Sequence, residues 1–189
     1  MSASTHKDFV QFEINKYPAI RRDKRKLIIA HYFGELNLRK SGRALSPEEK
    51  NFLGIEPSKH ITTAMMDLVD PNFATLFDIE EALRLIVHNA KDKYNLHQEW
   101  QYLVGNPKVS KLRYQSPNDG LTCKWCHSMS DKTLKKKFNL TKHLKEYCNC
   151  IWFRGELLPV FANHEVIQSS HVASQKRPEY RNPSLVGHP

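Results

Sequence analysis

The sequence predicts a mainly α protein: a small N-terminal helical domain, a small loop-plus-helix finger, and a disordered C-terminal tail. Three observations predict this. Apolar residues between Leu27 and Val104 recur at helical spacing, and nothing in residues 1–105 alternates as a strand does. All four cysteines of the 189-residue chain fall between positions 123 and 150. Beyond about Gln168, serine and proline replace large apolar residues, a composition that cannot support a core.

Taken in order, residues 1–20 form an N-terminal segment without a clean period. Phe9, Val10, Phe12, Ile14 and Tyr17 can pack a short piece, and Pro18 stops any helix there. The helical domain spans 21–105. Leu27, Ile28, Ile29, Tyr32, Phe33 and Leu36 share one helical face, and a basic loop with Gly42 follows. Ser46-Pro47-Glu48-Glu49 reads as a helix start, with serine as N-cap, proline at the first position and acids in the first turn. A helix is expected over 58–68, ended by Asp70-Pro71, with Met65-Met66 as core. Asp78 with Glu81 opens a longer helix, which breaks near Asn95 and closes at Gly105. Residues 106–160 make the finger, in which 151–160 pack as a strand or short hook; 161–189 are the tail.

The mean hydropathy is −0.60, and no run approaches the roughly 20 apolar residues of a membrane helix. The start, MSASTHKDFV, has no apolar core, so no secretory signal and no membrane partner are expected. Charge is unevenly spread along the chain. Residues 1–43 carry net +6, residues 44–105 net −5, and residues 106–150, with 10 basic and 3 acidic side chains, net +7. A +7 block of 45 residues is costly to hold compact without counter-charge, and phosphate backbones are a common source of it. The run Arg21-Arg22-Asp23-Lys24-Arg25-Lys26 has the composition of a nuclear-import patch, or of a solvated helix start.

The cysteines read Cys123-x2-Cys126, then His143-x4-Cys148, with Cys150 two residues further on. Two thiolates on a turn, with a histidine and a thiolate about one helical turn apart, match the ligand spacing of a tetrahedral zinc site. The expected ligands are Cys123, Cys126, His143 and Cys148, with Cys150 as the alternative fourth. Disulfides need an oxidising compartment, and no βαβ pattern supports a redox Cys-x2-Cys. A domain this short is marginal without metal, and four protein ligands leave no position for water. The expected role of the single Zn2+ is therefore structural.

Leu134, Leu140 and His143 follow an apolar-x5-Leu-x2-His pattern, and FNLTKHLKEYC places a polar-x-Leu-x-x-His-Leu run before the final ligand. Residues 120–150 thereby resemble the CCHH and BED-type zinc-finger family, as a variant whose last ligand is cysteine. The resemblance implies a helix docked in the major groove of duplex DNA, with Lys136, Asn139 and Lys142 facing bases. Lys132, Lys135, Lys137 and Lys145 would then contact the backbone. It further implies a nuclear role in transcription or chromatin, with the helical domain free for partner contact or dimerisation. The alternative is a zinc-stapled scaffold subunit that binds protein or RNA, using Phe138, Trp125 and Trp152 on single strands. No phosphate-cradling glycine loop, nucleophile elbow or HExxH is present, so the chain is not expected to be an enzyme.

Overall fold

The computed structural model describes residues 3–161, with side chains from residue 5; the tail expected to be disordered lies outside the described residues from 162 onward. The described chain divides into two compact units, and the boundary between Ala90 and Lys91 falls within one long helix.

The first unit contains α1 (Ala3–Asn15), α2 (Arg25–Tyr32), α3 (Pro47–Phe52), α4 (Thr63–Met66) and the start of α5 (Ile79–Gly105). Its core includes Phe9, Val10, Ile14, Ile28, Ile61, Met65, Leu68 and Ile86, all buried. The N-terminal segment that lacks a clean period is thus a helix of 13 residues, which ends before Pro18. The start of α3 is the one read from the sequence. The Ser46 hydroxyl accepts from the Glu49 N–H, and the Glu49 carboxylate accepts in return from the Ser46 N–H at 2.8 Å. Arg43 donates to both Glu49 oxygens and is the main reason that this carboxyl is held down to about 2. Gly42 has φ +73°, and a Cβ there would run into the Thr63 side chain, so this turn requires glycine. The expected helix over 58–68 shrinks to the single turn α4, capped by Thr62; Asp70 caps a short 3-10 turn, Pro71–Phe73.

Asp78 accepts from the Glu81 N–H and opens α5, as expected. The expected break at Asn95 does not occur. Lys93, Leu96, His97, Trp100 and Leu103 keep a buried stripe at spacings of three and four, and packing along it outweighs the modest intrinsic cost of one asparagine. Among the described residues no helix is long and apolar enough to cross a membrane.

The second unit corrects the mainly α expectation. Helix accounts for about 48% of the described residues, but a three-stranded antiparallel sheet organises this unit, and the fold is mixed. Its strands are β1 (Val109–Gln115), β2 (Thr133–Leu134) and β3 (Glu156–Phe161), in the order β2-β1-β3. In register, Leu112 faces Leu134 on one side and Pro159 on the other, and Tyr114 faces Leu157. An irregularity between Val109 and Lys111 shifts the register. Two exposed residues therefore follow Val109 before burial resumes at Leu112, and the strand's alternation is hidden in the sequence. Pro159 is tolerated because β3 is an edge strand. The finger expected as a loop plus a helix is thus two short helices, α6 (Lys124–Met129) and α7 (Leu140–Glu146), set on a sheet.

Candidate metal centre

Cys123 is the N-cap of α6 and Cys126 lies in its first turn; Cys148 and Cys150 follow the end of α7. Cys126, Cys148 and Cys150 are buried and Cys123 is half-buried; none forms a disulfide. Their four Sγ atoms all lie within 4.8 Å of one another. Cys126 and Cys148 Sγ are 3.6 Å apart, and Cys148 and Cys150 Sγ 3.7 Å. A tetrahedral thiolate site with metal–sulfur bonds of about 2.3 Å has edges of about 3.8 Å, so the four sulfurs fit one ion. Tetrahedral S4 geometry suits zinc or iron.

Donors from three directions converge on the sulfurs. The Tyr114 hydroxyl donates to Cys126 Sγ at 3.2 Å, the Cys123 N–H to Cys150 Sγ at 3.3 Å, and the Asn149 N–H to Cys123 Sγ at 3.3 Å. Hydrogen bonding among the four, Cys126 first, pulls the Cys123 thiol far below its ordinary value, and hydrogen bonding with Cys123 pushes the Cys126 and Cys150 thiols far above theirs. Thiols this close cannot all ionise without a counter-charge. Burial, then the Cys126 charge, pushes the Tyr114 hydroxyl well above its usual range and keeps it a donor. Lys93, fully buried on α5, donates to the Cys148 carbonyl at 3.0 Å and lies 5.5 Å from the centre of the Phe153 ring. It ties the second cysteine arm to the helix.

The group that converges contains Cys150 and leaves out His143. The His143 ring stacks on Phe138 at 4.4 Å and 8°, lies parallel to Trp125 at 6.2 Å, and meets Tyr147 at 5.3 Å. Helical spacing brings a residue near the next turn, and neighbouring rings decide which way it faces. Cys150 had a signal of its own, since Cys-x2-Cys and Cys-x-Cys together supply four thiols with no imidazole needed.

The residues expected on DNA are also distributed differently. Only Lys142 and Lys145 lie on α7, whereas Lys132, Lys135, Lys136 and Lys137 precede it around β2. Asn139 caps α7, its side chain accepting from the Lys142 N–H at 3.0 Å, and Lys136 donates to the Asn106 carbonyl at 2.9 Å. Lys142 sits 3.8 Å from Glu146. Leu140 and Leu144 are buried, so one face of this seven-residue helix belongs to the core. Lys132, Lys135, Lys137 and Lys142 are exposed; Lys145 is half-buried.

No protein-family model, curated protein or solved structure matches this chain. The resemblance to BED-type fingers has no family match behind it, and what stands is a four-cysteine cluster able to hold one metal ion.

Proposed function

We propose that the protein binds nucleic acid, with one structural Zn2+ on Cys123, Cys126, Cys148 and Cys150 and exposed lysines of the 132–145 segment on phosphates. One observation carries this reading. Among the described residues, Lys132, Lys135 and Lys137 stand exposed with no acidic partner within 4 Å, in a stretch of net +7. Phosphate is the counter-charge that such a surface accepts. Four thiolates fill a tetrahedral ion, so the metal's proposed role is to staple the unit and not to activate water. Because Asn139 and Lys136 are engaged within the unit, the lysines are proposed as phosphate contacts and α7 is not proposed as a base reader. Nuclear residence, in transcription or chromatin, belongs to the same reading. It rests on the basic run at 21–26, where Arg22 and Lys26 are exposed while Arg21 and Lys24 are held on Asp67.

The test is titration of labelled duplex DNA at increasing salt. Contact by all four exposed lysines gives a log–log slope near −3 to −4, roughly 0.9 per phosphate neutralised. A slope near zero overturns the reading. Visible absorbance settles the metal, since an iron tetrathiolate is coloured and zinc is silent.

The scaffold reading is favoured by one feature of the first unit: Phe52 is 85% and Leu76 57% exposed. Sedimentation of the wild type and of Phe52→Ser tests a self-association role; a dimer that the substitution dissociates supports it, and a monomer removes it.

A further inference from the structure

In the second unit, an open groove of about 470 Å³ lies between the last turns of α5 and the turn that leads into α7. Trp100 and Phe138 line it, meeting edge to face at 6.3 Å. Phe138 also carries the stacked His143 ring. One hydrogen bond lies beside the groove and one joins two of its lining residues. Lys136 donates to the Asn106 carbonyl at 2.9 Å, and His97 Nδ1 shares a 2.5 Å hydrogen bond with Thr141 Oγ1. Gln101 and Lys137, both exposed, also line the groove, and among the described residues no carboxylate does.

We propose that this groove receives one unstacked base of a single-stranded nucleic acid, with an adjoining phosphate on Lys137. The volume falls in the range of small-molecule sites and accommodates a nucleotide. Phe138, half-buried with one face under His143, is the ring that a base would meet, over a floor of buried Trp100; Gln101 supplies an amide for a base edge, and Lys137 supplies the charge. A base paired within a duplex cannot enter. A peptide side chain would fill the apolar floor but would leave the lysine unmatched, and the absence of acid in the lining favours an anionic chain. The inference rests on the nucleic-acid reading above and adds to it a preference for unpaired strands.

The test uses the metal-loaded full chain and fluorescence anisotropy with four probes: dT12, rU12, a 12-residue abasic strand and a 12-base-pair duplex. Stacking of one base predicts that dT12 or rU12 binds at least about tenfold more tightly than the abasic strand. Gln101→Glu, at an exposed position, is expected to reduce that binding to the abasic level, and Lys137→Glu to weaken every probe through the lost phosphate contact. Lys132→Glu, outside the groove, is expected to weaken every probe alike. Equal binding of dT12, rU12 and the abasic strand overturns the inference, as does unchanged binding of dT12 and rU12 by Gln101→Glu. Both outcomes leave the phosphate-contact reading intact. Failure to bind any probe, the duplex included, overturns that reading and the groove assignment with it.

Discussion

The Tyr114 hydroxyl donates to the Cys126 sulfur across 3.2 Å, and neither residue has any exposed surface. This bond joins the middle strand of the sheet to the first cysteine turn, so the cysteine cluster is coupled to the sheet. A hydroxyl that donates to a thiolate withdraws charge from it and orients it. Partners one step outside the ligands commonly change metal affinity by 10–100-fold. Tyr114→Phe keeps the ring and removes the donor. We expect metal affinity to fall about tenfold with the fold intact, read by competition with a chromophoric chelator.

The fourth ligand is tested by a pair of substitutions. Cys150→Ser is expected to lose bound metal, whereas His143→Ala keeps one ion per chain and loses about 1 kcal/mol of stability with its ring stack. Native mass spectrometry reads the stoichiometry. Metal loss in His143→Ala with retention in Cys150→Ser would restore the Cys3His set.

Gly155 lies against the Tyr114 and Phe153 rings, and a Cβ placed there meets Phe153 Cζ at 2.7 Å. Both rings are fully buried and cannot retreat. Gly155→Ala is expected to destabilise by about 1–3 kcal/mol, the usual cost of overpacking. It should also loosen the cysteine cluster through Tyr114. Urea unfolding with metal present measures the first effect, and chelator competition the second.

Asp119 accepts from Arg154 and from the Leu121 N–H. Burial works against its charge, but these bonds outweigh burial and hold the carboxyl below its ordinary range. A depressed carboxyl contributes stability that is fully present above the ordinary carboxylate pKa and is lost as pH falls through the lowered one. Asp119→Asn is therefore expected to lower the unfolding free energy read by urea titration at pH 7, by less than about 1 kcal/mol for so accessible a pair. The gap to wild type should close as pH drops below about 4. Over the same descent protons compete with a bound metal for the thiolates, so metal is expected to dissociate on acidification, and calorimetry at rising pH should show tighter binding.

Local features of this chain were readable in advance. The Ser46–Glu49 capping box and the Asp78 start of α5 depend on residues three positions apart, and both form. That Cys123, Cys126 and Cys148 come together was readable too, because thiols at short spacing form ligand-ready turns, although His143 was expected beside them and Cys150 only as the alternative. Strand β1 was not, since its bulge interrupts alternation and its partners lie far along the chain, at Thr133 and Leu158. Nor was the break at Asn95 avoidable by local reading, because the stripe from Lys93 to Leu103 is held by packing.

What the sequence determined by itself is the grouping of Cys123, Cys126 and Cys148, the helix caps and the basic stretch from 106 to 150, because each arises from short spacing or from composition. Only tertiary structure decided that Cys150 joins the sulfurs while His143 enters the stack with Phe138 and Trp125. Both residues lie close enough in sequence to Cys148 to serve. The choice turns on which side chains meet across more than twenty residues of chain, and close packing settles it where spacing leaves both open.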